Sequence, residues 1–179
     1  MLTPMSVSST ARSLDPLTLE PLPPDTRQRL LRFPLGQQES ALLPLEQIAE
    51  ILKLSVVDIL PVPEMPSCVL GICNWRGEML WLIDLNHLVG YSPVSWVSGV
   101  SPAVMVVQVD NQSVGLVVQQ VNDIELHDLQ QLQPTAIGLF PPRLLPFILG
   151  ALPGDNGTVL DVTAIMRSPL WKIHQKGVS

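Results

Sequence analysis

Charge is scarce in this sequence. Asp, Glu, Lys and Arg together make up 15% of its 179 residues, and the acidic side chains outnumber the basic ones 16 to 10. Lys and Arg form no cluster, so the basic stripe that neutralises phosphates is missing, and nucleic acid is excluded as a partner. Cysteine is scarcer still, at two residues. Cys68 and Cys73 lie in an apolar stretch with no group of His, Cys or carboxylate beside them, whereas a metal centre needs such a group. They read as free thiols that pack as small apolar side chains. The uncharged run from Leu85 to Val109 contains Asn86, His87, several serines and two prolines, which a membrane-spanning helix would have to bury, so no membrane insertion is expected. The start of the chain, Met1 to Asp25, lacks a basic beginning followed by a continuous apolar core, which predicts a cytoplasmic protein.

What is abundant is apolar surface. Hydrophobic residues account for 46% of the chain, enough for a core with some left over for partners, and the length suits one domain or a pair of small lobes. Residues 1–28 carry Pro4, Pro16, Pro21, Pro23 and Pro24 among serines and threonines, too little apolar periodicity to offset the entropy of ordering. They read as a tail or tether.

From Arg29 onward the punctuation is that of a β protein. Arg29 to Leu35 and Ser40 to Leu45 read as a hairpin around Gly36-Gln37-Gln38. Glu46 to Leu52 reads as short helix or irregular, Val56 to Pro63 as a strand kept at an edge by its prolines, and Pro66 to Asn74 as a short helix. Met79 to Leu85 is an apolar strand set off by the Arg76-Gly77 turn, followed by a helical turn from Asn86 to Val89. The Ser-, Pro- and Gly-rich stretch Tyr91 to Pro102 marks a boundary between a first lobe at about 29–90 and a second at about 103–162. In the second, Ala103 to Val109 and Val114 to Val121 form a hairpin whose return strand extends to Leu126. Pro141 to Leu149 reads as a helix, Gly154 to Gly157 as a turn and Thr158 to Val162 as the last strand. Thr163 to Arg167 is a weak helix fraying into a C-terminal tail, 168–179.

The halves echo one another. Gly71-Ile72-Cys73 followed by Glu78 to Leu85 resembles Gly150-Ala151-Leu152 followed by Gly157 to Val162, each strand ending in an Asp and a helical turn. Two similar β lobes, each too small to hide its apolar face, would pack together and leave a groove at their seam.

Catalytic chemistry is hard to find. His87, His127 and His174 have no partner at ligand or nucleophile spacing and read as surface side chains. No Gly-rich phosphate loop opens a helix. The carboxylates Asp123 with Glu125 and Asp155 with Asp161 sit in turns or alternate across a strand, and read as solvated. An enzyme using acids at the lobe seam is the weakest of the functional readings, and neither cofactor nor metal is expected.

The residues that break the pattern are Asn74-Trp75-Arg76-Gly77, where a large aromatic and a permanent cation share a tight turn. One reading is structural: Gly77 takes a positive φ, Arg76 is solvated and Trp75 packs locally. The other is recognition, because the planar guanidinium pairs a carboxylate two-pronged.

The order of motifs favours recognition. Phe33-x-Leu35-Gly36, Ile48-x-Glu50-Ile51-Leu52, Leu60-Pro61-x-Pro63, Gly71-Ile72-x-Asn74-x-Arg76-Gly77 and Leu82-Ile83-Asp84-Leu85 resemble the first lobe of CheW-like chemotaxis coupling proteins. Val114 to Val118, Val121-x-Asp123-Ile124, Leu145 to Gly150 and Val159-Leu160-Asp161 resemble the second, so the likeness spans about 29–167. It implies a mostly β fold, two five-stranded β-barrel lobes on a shared hydrophobic seam with a few short helices. It also implies a non-enzymatic adaptor between the cytoplasmic tip of a methyl-accepting receptor and the regulatory domain of a CheA-type histidine kinase, associated with membrane receptor arrays. An adaptor of the same fold serving pilus-driven motility, phototaxis or developmental signalling is the alternative. By the resemblance, Arg76 and Glu50 form an ion pair shaping the receptor-facing surface, with Gly71, Asn74, Trp75 and Gly77 around it, and Gly71 and Gly77 letting backbones approach. Trp75, where the family usually has an aliphatic residue, together with Trp81 and Cys73, departs from the pattern.

Overall fold

In the computed structural model, residues 21–97, 99–135, 138, 140–154, 157–169 and 171 are described. Most of the N-terminal tail, Asp155 and His174 lie outside them. Ten strands run in chain order: β1 (Arg27–Leu35), β2 (Glu39–Pro44), β3 (Ile48–Lys53), β4 (Val69–Trp75), β5 (Glu78–Asp84), β6 (Ala103–Val109), β7 (Gln112–Val118), β8 (Ile124–Asp128), β9 (Ile148–Ala151) and β10 (Thr158–Leu160). Two short helices follow β5 and β10, α1 (Leu85–Leu88) and α2 (Val162–Met166).

The strands form two five-stranded sheets, ordered β8-β1-β2-β10-β9 and β3-β6-β7-β5-β4. The orders are equivalent position by position. In each, a hairpin (β1-β2 or β6-β7) is flanked on one side by an antiparallel strand, and on the other by a parallel strand, β10 on β2 and β5 on β7. The lobes drawn on the sequence do not coincide with these sheets. The first half of the chain gives its hairpin to one sheet and β3, β4 and β5 to the other; the second half does the reverse. The echo between Gly71–Leu85 and Gly150–Val162 is nonetheless real, since those stretches are β4-β5-α1 and β9-β10-α2. Asp84 accepts the His87 backbone N–H at 3.1 Å and Asp161 that of Ala164 at 3.1 Å, so each caps its helix.

Period-two alternation divides the core. Leu31, Phe33 and Leu43 from one sheet meet Ile83, Met105 and Leu116 from the other across the seam, while Val104, Val106, Leu80 and Leu82 point the opposite way into a separate cluster within the second lobe as the structure draws it, the β3-β6-β7-β5-β4 sheet. The interior of the first lobe, the β8-β1-β2-β10-β9 sheet, is smaller, with Leu30, Leu42, Leu152 and Val159 buried.

Neither lobe is a closed barrel. Each sheet bends until the chain leaving one edge strand touches the other edge at a single residue pair: Leu60 with Ile72, and Gln133 with Ala151. At the first of these Gly71 is required, because a Cβ there would lie 2.3 Å from the Leu60 carbonyl oxygen, and its φ is +142°.

Several local expectations give way to tertiary context. Residues 48–53 are strand β3, since pairing with β6 takes up their backbone groups and their burial alternates strictly. The stretch 66–74 is mostly β4, held in register by the tight turn after it. Val56–Asp58 is a 3-10 turn; with Pro61 and Pro63 lacking N–H groups, only Leu60 bridges. Pro141, Pro142 and Pro146 deprive the next segment of helical donors, leaving a 3-10 turn at Leu145–Phe147 before β9. The strand after Val114 stops at Val118, and the chain crosses to the other sheet, where Asn122 N–H and Asp123 C=O already bond Arg32. The last strand ends at Leu160, and α2 does not fray: Val162, Ile165 and Met166 are buried, and Trp171, 1% exposed, donates its indole N–H to the Ile165 carbonyl at 2.8 Å.

Candidate partner-binding surface

An ion pair links the two edges of the β3-β6-β7-β5-β4 sheet. β4 and β5 are joined by a two-residue turn, since Trp75 pairs with Glu78, and both turn residues are left-handed, Arg76 at φ 51° and Gly77 at φ 80°. That is a type I′ turn, whose twist matches the strands it joins. Asn74 Oδ1 accepts the Gly77 N–H at 3.0 Å and fixes the loop. Gly77 has open space where a Cβ would sit, so its role is the positive φ rather than a close approach; close approach is the role of Gly71.

From this turn Arg76 reaches across to the far edge strand, where its Nη2 donates to Glu50 Oε1 on β3 at 2.7 Å. The Arg76 side chain is 64% exposed and that of Glu50 33%, so the pair itself contributes roughly 0 to 1 kcal/mol to stability. The guanidinium carbon lies 4.8 Å from the centroid of the Trp75 ring. Trp75 is only 6% exposed and belongs to the interior cluster of its lobe, so it touches the surface through the one face that underlies Arg76. Glu50, Asn74, Trp75, Arg76 and Gly77 thus converge at the turn, while Gly71 stands further along β4 and shapes the strand's path.

Exposed apolar side chains stand on the other face of the same sheet. Along β5, Met79, Trp81 and Ile83 share one face; Ile83 is sealed in the seam, Trp81 is half-buried, and Met79 opposite Asn74 is 75% exposed. Leu60 and, beside Glu50, Ile51 are exposed too. A charged pair at the end of a sheet whose strands also carry uncovered aliphatic and thioether groups suits docking of another protein. Among the described residues no group of His, Cys, Asp or Glu is arranged to hold a metal ion, and no helix is long and apolar enough to cross a membrane.

The sequence reading missed a second polar cluster, inside the first lobe. Arg32 donates two-pronged to Glu125 from its Nε and Nη2, and its Nη1 donates to Ser40 Oγ at 2.7 Å. His127 Nε2 lies 2.7 Å from Glu125 Oε1. The Arg32 guanidinium holds the Glu125 carboxyl well below its ordinary range, at about 2, so this carboxylate is paired rather than solvated. The alternation that puts Glu125 and His127 on one face of β8 was legible; the strand opposite them was not. Asp84, 1% exposed, also accepts the Val94 N–H at 2.9 Å, and burial raises its pKa. Both cysteines are free, Cys68 buried and Cys73 half-buried, and burial pushes both thiols up.

Fold and site together define an interaction module, and comparison with known proteins agrees. The model of the CheW-like domain family matches residues 29–170, and the chain belongs to that family, whose members are scaffold or adaptor proteins rather than enzymes. It is 35% identical over 75 residues to the chemotaxis protein CheW of Rhizobium meliloti (strain 1021), covering 42% of this chain and 47% of that one. It is also 35% identical over 74 residues to the probable chemotaxis protein CheW of Rhizobium etli (strain ATCC 51251 / DSM 11541 / JCM 21823 / NBRC 15573 / CFN 42), covering 41% and 46%. The matched region therefore spans about half the length of these curated relatives. The crystal structure of the scaffolding protein TtCheW from Thermoanaerobacter tengcongensis superposes with a TM-score of 0.61 at 23% identity, over 75% of this chain and 87% of that one, a likeness of fold.

Proposed function

We propose that this chain couples a methyl-accepting chemoreceptor to a CheA-type histidine kinase in a chemotaxis pathway, acting in the cytoplasm at receptor arrays. The observation that carries the reading is the Arg76–Glu50 pair, held out on a left-handed turn whose following strand carries uncovered Met79. Such a pair adds little to folding and serves orientation and choice of partner. Glu50, Asn74, Trp75, Arg76 and Gly77 form the receptor-facing surface, and Gly71 keeps β4 in the path that presents it. The kinase's regulatory domain occupies another face of the two-lobed body. The test is a pair of binding measurements with purified cognate partners, the receptor's cytoplasmic tip and the kinase regulatory domain. Binding to both is expected; binding to neither sinks the proposal.

A further inference from the structure

Arginine is a poor choice for the first residue of a type I′ turn. Asn, Asp and Gly tolerate a left-handed backbone; a long side chain with a Cβ does not. Yet Arg76 sits there at φ 51°, and the structure surrounds its head group on two sides. Glu50 Oε1 takes one N–H, from Nη2. The Trp75 ring lies against the guanidinium, 4.8 Å from centroid to carbon.

That ring is itself immobilised. It packs in the lobe interior among Leu80, Leu82, Val104 and Val106, and its indole N–H is buried without an acceptor. Its orientation is therefore set by packing, and no hydrogen bond asks for a tryptophan rather than a smaller ring. A flat, fixed surface under a guanidinium leaves it free to turn only in its own plane, and the Glu50 contact fixes that rotation too. Among the described residues Arg76 makes no hydrogen bond besides the one to Glu50, so its remaining donors face solvent in a defined plane.

We propose that Trp75 is a positioning residue that holds the Arg76 guanidinium in a fixed plane, so that its free edge receives a carboxylate of the docked protein two-pronged. This deepens the reading of the turn as partner-facing and rests on it. A guanidinium so held is specific for a planar two-oxygen acceptor, and a lysine ammonium at the same place does not reproduce the contact.

The test uses the full chain, the variants Trp75→Phe, Trp75→Leu and Arg76→Lys, and the double variant Trp75→Leu/Arg76→Lys, with a purified cytoplasmic tip fragment of the cognate receptor as probe. Affinity is read by calorimetry, and the proton on Arg76 Nε by NMR in the free protein. In wild type that proton is displaced by the ring current; the displacement persists in Trp75→Phe and vanishes in Trp75→Leu. Trp75→Phe keeps affinity within about threefold, whereas Trp75→Leu and Arg76→Lys each lose about tenfold and the double variant loses no more than either, the mark of two residues acting as one unit. Wild-type affinity in Trp75→Leu, or an unshifted Nε proton in wild type, overturns the role of Trp75. No binding by wild type overturns the receptor reading instead. If Trp75→Leu fails to fold, Arg76→Lys decides, and wild-type affinity in that variant overturns the proposal.

Discussion

Replacing Arg76 by Asn separates the two things this residue does. The variant places Asn-Gly, the preferred type I′ pair, between β4 and β5, and relieves a left-handed arginine at φ 51°, worth about 1 kcal/mol. Against that stand the loss of an ion pair whose cation is 64% exposed, about 0.5 kcal/mol, and of a ring contact at 4.8 Å, about 0.5 kcal/mol. The contributions cancel, so unfolding free energy stays within about 1 kcal/mol of wild type, a shift in melting temperature of no more than about 4 °C. Affinity for the receptor tip falls at least about tenfold, because an interface loses its fixed cation. Urea denaturation with an unchanged slope and a binding isotherm on the same preparation read both quantities. A drop in stability above about 2 kcal/mol, well beyond what the exposed contacts supply, would refute the reasoning and make Arg76 a structural residue.

Other positions give equally direct outcomes. Gly71→Ala drives a Cβ into the Leu60 carbonyl oxygen and costs more than about 2 kcal/mol; hydrogen exchange then shows the Leu60 and Ile72 amides losing protection first. Glu125→Gln removes the carboxylate bound by Arg32 and His127 and costs about 1 to 3 kcal/mol at neutral pH. Because the folded Glu125 carboxyl titrates at about 2 against an ordinary 4.5, its contribution is complete above about pH 4.5 and disappears as pH falls toward 2. The acid limb of the stability profile is therefore shallower in the variant. Trp171→Ala empties a site that is 1% exposed and costs about 3 to 5 kcal/mol in chemical denaturation.

The elements legible in the sequence are those whose signal is local. Both hairpins, the turn at Arg76-Gly77 and the Asp-capped helices are written in short-range chemistry, and the structure places them where the residues put them. β3, β4 and β9 are edge strands of four to seven residues that the sequence reading missed. For β3 the partner, β6, lies far along the chain, so nothing nearby asks it to be extended. β4 and β9 pair with the next strand in the chain, but the prolines before them, Pro66 and Pro141, read as helix starts. The Arg76–Glu50 pair came from family resemblance rather than from spacing, since 26 residues separate the two side chains. The Arg32–Glu125 pair, 93 residues apart, had no such help. Trp75 was named for its size in a turn; that its ring is buried beneath the arginine follows from strand alternation, which places it on the face shared by Leu80 and Leu82.

The crossed contribution of the two halves bears on how this molecule can fail. Neither half of the chain contains a whole sheet, and β1 finds its neighbour β8 only after about ninety residues of intervening chain have been synthesised. Such long-range pairing makes assembly slow and all-or-none. A fragment cut in the Tyr91–Pro102 linker would hold three strands of one sheet and two of the other, with the inner faces of both open to water. Damage near the Arg76 turn and damage in the other sheet thus converge on the same global unfolding event, and a cell holding this protein has the whole two-sheet body or none of it.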